Sequence, residues 1–254
     1  MSAPVGIRIL IIDIETAPHK VYSWGLYDQD IAINQIEEPG YTLCYAAKWY
    51  GEPDVMFDSV HQSKPRRMVR GAHKLLSKAD AVIHFNGAKF DIPTLNKEFI
   101  LHGLAPTPPL KQIDLLRTCR SKFKWASNKL DYVAQSLGEG AKVKHKGMEL
   151  WRACMEPKHR DHESAWRTME RYNKGDVRLT ERLYRRLLPW IDNHPNVTAY
   201  SGGGHKCPKC NSARVISNGF RFANLHKYRR YQCVDCGAWS RARLMTRDSV
   251  PALA

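Results

Sequence analysis

The sequence predicts an α/β fold with a mixed sheet flanked by helices, followed by a small second domain that contains two pairs of cysteines. Three observations carry this prediction. The short apolar segment Arg8–Thr16 is typical of a strand buried on both faces. Two more strand-like segments come directly after it, and strand-like and helical segments then alternate. Towards the C-terminus the apolar content falls and cysteines recur as C-x-x-C.

The elements follow from local patterns along the chain. Strands are predicted at Tyr41–Tyr50 and Asp54–Val60, because a Gly-Glu-Pro turn separates these two segments. A hairpin followed by alternating elements indicates a mixed sheet. The later predicted elements are, in order, a helix over Lys64–Lys78, a strand over Ala81–Asn86, a helix over Ile92–His102, a fifth strand over Gln112–Cys119, a helix over Asn128–Leu137, and helical segments over about 161–173 and 176–190.

The change in composition predicts the domain boundaries. Residues 1–198 are expected to form the α/β domain, 199–204 a flexible linker that contains a Ser-Gly-Gly-Gly run, and 205–254 the small domain. A core as small as that of the last segment usually needs a metal or disulfides to hold it together.

The net charge and the cysteine pattern indicate what kind of partner the protein binds and in which compartment it is found. The net charge of +15 favours a polyanionic partner, although a basic surface is also compatible with a protein that is merely soluble. No apolar run approaches the ~20 residues of a membrane span, and Ile9–Ile14 ends in carboxylates rather than in a cleavage site. Four of the seven cysteines form C-x-x-C pairs, which indicates metal ligation rather than disulfides. We therefore expect a cytoplasmic protein of a bacterial or phage-infected cell, without a membrane partner.

Two carboxylates end the first predicted strand. Asp13 and Glu15 are two residues apart, so both side chains are expected on the same face of the sheet. Such a pair repels unless a cation lies between the carboxylates, and Mg²⁺ or Mn²⁺ prefers oxygen ligands. The alternative is a strand that simply ends in acids as it runs into solvent.

Two more acids stand at predicted helices. Asp91 follows a strand and precedes Ile-Pro, which fits an N-cap as well as a metal ligand. Asn86, before it, is a turn former or helps to hold the site. Tyr172 and Asp176 are spaced i, i+4 and would share one helix face, with a distortion of the helix possible at Gly175. The alternative for this last pair is an ordinary amphipathic helix.

The order of these motifs, D-x-E, then N-x3-F-D, then Y-x3-D, resembles the three exonuclease motifs of the DEDD superfamily (DnaQ-like, RNase H-like fold), and specifically its tyrosine-bearing DEDDy branch. The histidine-bearing branch would need His at the position of Arg171. The resemblance covers roughly residues 7–190 and extends to Ile113–Leu116, Asn128–Asp131 and Leu137-Gly138.

The resemblance implies a mechanism and a product. Asp13, Glu15, Asp91 and Asp176 would hold two Mg²⁺ or Mn²⁺ ions for an in-line phosphoryl displacement, and Tyr172 would orient the attacking water. The implied function is a 3′–5′ exonuclease that releases nucleoside 5′-monophosphates from single-stranded or frayed DNA ends, in replication, repair or recombination. The alternatives are a 3′–5′ exoribonuclease, a structure-selective endonuclease, and a catalytically idle nucleic-acid-binding module.

Several side chains near these motifs are candidates to contact the nucleic acid strand. Phe90 and Trp24 could stack on bases, but Phe90 ends an apolar strand, which favours a position in the core. The polar candidates are Asn86, Lys89, Lys142, Lys144, His145 and Lys146.

The two cysteine pairs predict one structural zinc site. Cys207 and Cys210 are separated from Cys233 and Cys236 by 22 residues, and two thiolate pairs on separate knuckles suit a closed tetrahedral Zn²⁺ site. A hairpin turn is expected at Ser217–Phe220. The segment resembles the zinc ribbons appended to transposases and other DNA-processing proteins.

Basic and aromatic residues alternate in this segment, which suits contacts with the nucleic acid backbone and stacking on bases. The other cysteines, Cys44, Cys119 and Cys154, are expected to be buried thiols. The candidate nucleic-acid contacts are Arg221, Lys227, Arg229, Arg230 and Trp239, with Arg243 near the end.

Overall fold

A five-stranded mixed sheet forms the centre of the molecule in the computed structural model, which describes residues 6–223 and 226–242. Arg243 and the rest of 243–254 lie outside the described residues. The strand order is β5-β4-β1-β6-β7, with antiparallel pairing among the first three strands and parallel pairing among the last three. The strands are β1 (Ile9–Thr16), β4 (Thr42–Trp49), β5 (Met56–Ser59), β6 (Ala81–His84) and β7 (Lys111–Asp114); a small hairpin, β2 (Lys20–Val21) and β3 (Ile36–Glu38), lies outside this sheet. The predicted α/β fold with a mixed sheet is confirmed.

Helices cover both faces of the sheet. The helices are α1 (Pro65–Leu76), α2 (Asp91–Leu101), α3 (Leu115–Lys122), α4 (Leu130–Ser136), α5 (Met148–Met155) and α6 (His162–Leu187). One face packs against α1 and α2 through side chains such as Leu10, Ile12 and Phe99. The other face packs against α3, α4 and α6 through side chains such as Ile9 and Ile11. Because β1 is buried on both sides, it has the continuous apolar sequence of a central strand.

The predicted bounds of the fifth strand and of the last two helical segments were wrong. The fifth strand ends at Asp114 rather than at Cys119, because the Asp114 carboxylate accepts hydrogen bonds from Leu116 N and Arg117 N and so caps α3. The two predicted C-terminal helical segments are one helix of 26 residues, without a break at Gly175. A Cβ at Gly175 would lie 3.1 Å from Val143 Cγ2, so this glycine gives room to the loop before α5.

The C-terminal residues form a second, three-stranded antiparallel sheet of β8 (Val215–Ala223), β9 (His226–Cys233) and β10 (Trp239–Arg241). The hairpin turn predicted at Ser217–Phe220 was wrong, because β8 continues through this segment with a bulge, and Gly219 adopts φ +72° there. The connection between the two long strands comes after Ala223.

The small sheet packs directly on the end of α6. Lys209 Nζ donates to the carbonyls of Leu188 and Pro189, at 3.2 and 2.9 Å, and Val197 N donates to Pro208 O. Between them, Val197–Tyr200 form a 3-10 helix in which Val197 is buried. The division into domains at 198 and 204 stays a prediction. Within the described residues, no helix is both long and apolar enough to cross a membrane.

Candidate active site

The first two carboxylates continue the apolar row on one face of β1. Ile9 and Ile11 of this strand pack on the side of the sheet that α6 covers, and the strand period of two places Asp13 and Glu15 on that same side. Their partners across β4 are small, Ala46 for Asp13 and Cys44 for Glu15. Small cross-strand partners leave space around the two carboxylates beneath the helix.

Asp91 reaches β1 from the start of α2. The parallel pairing of β1 with β6 stops at Ile11, and further along the strand Ile14 N donates to Asp91 Oδ1 at 3.0 Å. Asp91 is only 3% exposed. It is the first residue of the helix rather than its N-cap, a position that Phe90 occupies. One carboxylate oxygen is therefore anchored by the strand that carries Asp13 and Glu15.

Asn86 shapes the connection that leads to Asp91. Its φ of +71° is in the left-handed region, which Asn tolerates better than most residues. Its backbone N–H donates to Asp114 Oδ1 at 3.0 Å. Asn86 is thus a turn residue, and the same Asp114 oxygen holds both this turn and the first turn of α3.

The buried face of α6 supplies Tyr172 and Asp176, and also a residue that the sequence motifs do not single out. Asn173 Nδ2 donates to Asp13 Oδ2 at 2.7 Å and to Asp13 O at 3.3 Å. Asn173 is fully buried, and Cys44 Sγ donates to its Oδ1 at 3.8 Å. The signal available in the sequence was its spacing, since Asn173 precedes Asp176 by three residues and therefore shares its helix face.

The acids converge on one small volume. Carboxylate oxygens of Asp13, Glu15 and Asp176 all lie within 4.8 Å of one another. Burial raises the pKa of Asp13, and the charges of Asp91 and Glu15 raise it further. Burial raises the pKa of Glu15 to about 8 and that of Asp91 to about 7, although Lys142 acts against the first shift and the Ile14 N–H against the second. Four acids that oppose one another's ionisation need a positive charge among them.

Lys142 supplies one positive charge at this position. Its ammonium lies 2.6 Å from Asp176 Oδ2 and 4.7 Å from the centre of the Tyr172 ring. Burial lowers the pKa of Lys142, but the charges of Asp176 and Tyr172 and the hydrogen bonds to both together outweigh it, so the pKa is raised. Lys142, a candidate strand contact in the sequence, forms an ion pair with Asp176 in the structure.

The donor set fits divalent cations. All of its ligand atoms are carboxylate oxygens, the chemistry that Mg²⁺ and Mn²⁺ prefer. Asp176 Oδ1 is buried and has no hydrogen-bond partner among the described residues. The single charge of Lys142 does not balance four ionised carboxylates. A divalent cation would supply the missing positive charge, and Asp176 Oδ1 is a buried oxygen that could bind it.

Tyr172 lies at the rim of this group and remains a phenol. Burial, followed by the charges of Asp176 and Glu15, raises its pKa above the usual value of 10. The rings of His145 and Trp151 pack on it, at centroid distances of 4.7 and 6.2 Å, and Trp151 Nε1 donates to Thr16 O. The ring is therefore fixed between α5, α6 and the end of β1, with its hydroxyl protonated at neutral pH.

The candidate strand contacts do not belong to the group of acids. Lys89, Lys144 and Lys146 are all exposed. The latter two line a cleft of about 320 Å³ between the loop before α5 and the start of α6. The prediction that Phe90 lies in the core was wrong, because its side chain stands at the helix entrance and is 43% exposed. Trp24, on the segment between β2 and β3, is fully exposed.

The four cysteines of the small sheet form a second group of ligands. The Sγ atoms of Cys207 and Cys236 are 3.6 Å apart, as are those of Cys210 and Cys233, and all four lie within 4.8 Å. A tetrahedral Zn²⁺ with Zn–S bonds of 2.3 Å has sulfurs about 3.8 Å apart. Hydrogen bonds from Cys210 and Cys236 lower the pKa of Cys207, and those with Cys207 raise the pKa of Cys210 and of Cys236, so without an ion the negative charge is carried by Cys207. The group fits zinc, whereas Cys44, Cys119 and Cys154 are buried elsewhere as predicted.

Cations of the small sheet stack on its own aromatic rings. Arg230 lies 4.5 Å from the centre of the Trp239 ring, Arg229 lies 4.7 Å and Lys227 4.4 Å from that of Phe220. Arg221 is exposed on β8. These pairs form a positively charged, partly exposed aromatic surface on the sheet.

Comparisons with known proteins agree with this architecture. A family model described as the RNase_H superfamily matches residues 10–188. The curated proteins contain no match. Among solved structures, the family B DNA polymerase from the hyperthermophilic archaeon Pyrobaculum calidifontis is similar, with a TM-score of 0.53 and 19% identity over 72% of this chain and 25% of that one. At that identity the likeness concerns the fold alone, and the chain spans about a quarter of the polymerase's length. Because the family model covers most of its residues, including β1 and α6, the chain belongs to the RNase_H superfamily.

Proposed function

We propose that this chain is a 3′–5′ exonuclease of the DEDDy type, which uses two Mg²⁺ or Mn²⁺ ions to release nucleoside 5′-monophosphates from single-stranded or frayed DNA ends. Members of the RNase_H superfamily are metal-dependent nucleases, so nuclease activity as such follows from the family. The observation that carries the finer proposal is the convergence of Asp13, Glu15 and Asp176 beside Asp91 and Tyr172. The choice of DNA over RNA is part of this proposal, and digestion of the two in parallel decides between them.

The four carboxylates would hold the cations, which when bound supply charge neutralisation for the attacking and departing oxygens of the phosphodiester. The protein contributes fixed positions. Asn173 holds Asp13, and the Ile14 N–H holds Asp91, so neither carboxylate has to be ordered when the substrate binds. Asp176 Oδ1 is left free to act as a ligand.

Tyr172 positions the water and does not remove its proton. Its raised pKa keeps the phenol protonated near neutral pH, so its hydroxyl is a hydrogen-bond donor and a poor base. The packing of His145 and Trp151 fixes the direction of that hydroxyl towards the acids. The spacing of Tyr172 and Asp176 by one helical turn supports the tyrosine-bearing branch of the family.

Nucleic acid would contact the chain on two surfaces. On the first, Asn86 and Lys89 lie in the turn before Asp91, and Lys144 and Lys146 lie in the loop that carries Lys142. The net charge of +15 favours phosphate contacts. We also propose that residues 205–254 are a zinc ribbon that binds the same strand through Arg221, Lys227, Arg229, Arg230 and Trp239. Exposed rings beside arginines suit stacking on bases without selection of sequence. A role beside replication or recombination proteins is part of this proposal.

Digestion of 5′-labelled single strands, DNA and RNA in parallel, tests the proposal. With Mg²⁺ we expect a DNA ladder that shortens from the 3′ end and a closed circle that stays intact. Asp13→Ala should reduce the rate by at least about 100-fold because it removes a ligand of the group. Asp192→Asn is a surface carboxylate control that should leave the rate unchanged, since Asp192 is exposed and pairs with Lys122 rather than with the acid group.

Other outcomes select the alternatives. Digestion of RNA but not DNA would identify an exoribonuclease, and cleavage of the circle would identify an endonuclease. Binding without cleavage under Mg²⁺ and Mn²⁺ would leave a nucleic-acid-binding module and overturn the enzymatic proposal.

A further inference from the structure

A group of two histidines and one glutamate lies apart from the carboxylates and the cysteines. His61, in the turn after β5, faces His162 and Glu163, which begin α6, and one ligand atom of each lies within 4.8 Å of the others. His61 Nε2 is 3.4 Å from Glu163 Oε2. His61 and Glu163 are exposed and His162 is half-buried, so ions have access from solvent. The proposed nuclease chemistry uses none of the three.

The histidines are oriented as metal ligands usually are. The Nδ1 of His162 lies 2.8 Å from the carbonyl oxygen of Ala153, an acceptor that holds the proton on this nitrogen and leaves the Nε2 lone pair free. A second ring nitrogen that donates to a carbonyl is the common outer-sphere partner of a metal-bound histidine. This bond is independent of the cluster itself, because it comes from α5.

The His61 ring is also held in place. It stacks on Trp166 with ring centroids 5.2 Å apart and an angle of 7° between the planes. Its turn is closed by hydrogen bonds from Ser63 N to Ser59 O and from Gln62 N to Ser59 Oγ. Trp166 is itself buried, so a ring lying flat on it has little freedom to rotate.

The spacing suits a transition metal. Two ligands of a tetrahedral ion with bonds of 2.0–2.1 Å are about 3.3 Å apart, close to the 3.4 Å between His61 Nε2 and Glu163 Oε2. His162 and Glu163 are consecutive and would not face each other on the helix alone, but His61 lies between them. Two imidazoles and one carboxylate form a donor set that Zn²⁺ accepts and Mg²⁺ disfavours.

We infer that His61, His162 and Glu163 bind a divalent transition-metal ion, for which Zn²⁺ is the probe, with water completing the coordination. The ion would join the end of the edge strand β5 to the first turn of α6, the helix that carries Tyr172 and Asp176. The inference does not depend on the proposed exonuclease activity, because it concerns binding and a mechanical link rather than catalysis.

Calorimetric titration of the full chain with Zn²⁺ tests the site. The protein is first loaded with one zinc per chain at the cysteines and kept in excess Mg²⁺, so that the carboxylates contribute equally in every variant. We expect one further 1:1 binding event. His61→Gln and His162→Gln should each weaken it by more than about tenfold, and Glu163→Gln should weaken it less. His102→Gln, the same change at the C-cap of α2, is the matched control and should bind as the unmodified chain does.

Thermal unfolding supplies a second readout that also reports on folding. Added Zn²⁺ should raise the melting temperature of the unmodified chain and of the His102 variant, and should leave that of His61→Gln unchanged. Without added zinc, His61→Gln should melt only slightly below the unmodified chain, since it loses the ring stacking on Trp166 and the exposed pair with Glu163 but no metal bond. An unmodified chain without the further event, or histidine variants that retain it, would overturn the inference.

Discussion

At the scale of single residues, the site is a set of acids that the protein cannot balance by itself. Asn173 donates to the Asp13 carboxylate and the Ile14 N–H to that of Asp91, Asp176 pairs with Lys142, and the charge of the same lysine acts against the raised pKa of Glu15. The metal-free protein should therefore be under electrostatic strain that depends on pH.

We expect the metal-free active site to lower stability as pH rises. The folded pKa of Glu15 is about 8 against 4.5 when unfolded, and that of Asp91 is about 7 against 3.8. Because both are raised on folding, their favourable contribution is complete below about pH 4 and is lost as pH climbs towards about 8. Urea unfolding of zinc-loaded protein without Mg²⁺ should give a free energy lower by on the order of 5 kcal/mol at about pH 8 than at about pH 5.

Two controls accompany this measurement. Millimolar Mg²⁺ should remove most of the loss, because the cation replaces the missing positive charge. Glu15→Gln should flatten the dependence, since the amide does not ionise. An identical slope in Glu15→Gln and the unmodified chain would show that other groups cause it.

Asn173 should be a positioning residue of the acid group. Asn173→Ala removes the donor to Asp13 Oδ2 and leaves that carboxylate free to turn. We expect nuclease activity to fall by about 10- to 100-fold, with more Mg²⁺ needed for half-maximal rate, as for other outer-sphere partners of metal ligands. Asn193→Ala, which changes a surface amide that accepts a hydrogen bond from Lys111, should leave both values unchanged. A rate loss without a shift in Mg²⁺ dependence would argue against this role.

At the scale of elements, helix caps and the turns beside them position the strands and helices that carry the acids. Asp114 ends β7, caps α3 and binds the Asn86 N–H in the turn that leads to Asp91. The Asp114 side chain thus stabilises both the first turn of α3 and the turn that precedes Asp91.

Asp114→Ala should therefore destabilise the fold more than loss of an ordinary cap. We expect a loss of about 2–3 kcal/mol in the free energy of unfolding, from the helix cap and from the orphaned Asn86 N–H. Urea denaturation gives the value. Asp161→Ala is the matched control, because Asp161 stands at the N-cap of α6 without a side-chain cap bond and should cost less than about 0.5 kcal/mol. Equal losses would refute this explanation.

The elements also show how far sequence patterns reach. The apolar run of β1 and the hairpin of β4 and β5 were predictable, because burial on both faces and a Gly-Glu-Pro turn leave clear patterns. The end of β7 was not predicted, because the sequence around Asp114 fits a strand and only the structure shows that its carboxylate caps α3. The unbroken α6 was missed because Gly175 usually weakens helices, and only the contact with Val143 explains its presence.

The candidate site likewise contains residues that the sequence predicted and residues that it did not. Asp13, Glu15 and Asp176 were predictable from motif order, and the four cysteines from their spacing. The contact of Asn173 with Asp13 and that of Lys142 with Asp176 depend on how α6 and the loop before α5 pack near β1. These residues are far apart in the sequence, so local patterns do not predict the contacts. Phe90 was misjudged because an apolar residue at the end of a strand can turn out to solvent.

At the scale of the whole molecule, the cysteine group is joined to the main core. Cys207, Cys233 and Cys236 belong to the same buried cluster as Tyr184 and Leu187 of α6. The Lys209 ammonium binds the last carbonyls after this helix, where a positive charge is favourable.

Loss of the zinc ligands should consequently lower the stability of the entire described fold. Cys236→Ser is expected to give a single unfolding transition at least about 5 °C below that of the unmodified chain, measured by calorimetry. Val234→Ala changes an exposed neighbour in the same knuckle and should shift the transition little. A separate early transition, with the main one unmoved, would mean that the small sheet unfolds independently.

The contact between Asn173 and Asp13 joins residues 160 positions apart, which has a consequence for the order of synthesis. The ribosome completes β1 before α6, and at 5–20 residues per second α6 follows on the order of ten seconds later. Until then the nascent chain carries Asp13 and Glu15 without the helix that completes their group. The acid group is therefore assembled only after α6 has been synthesised.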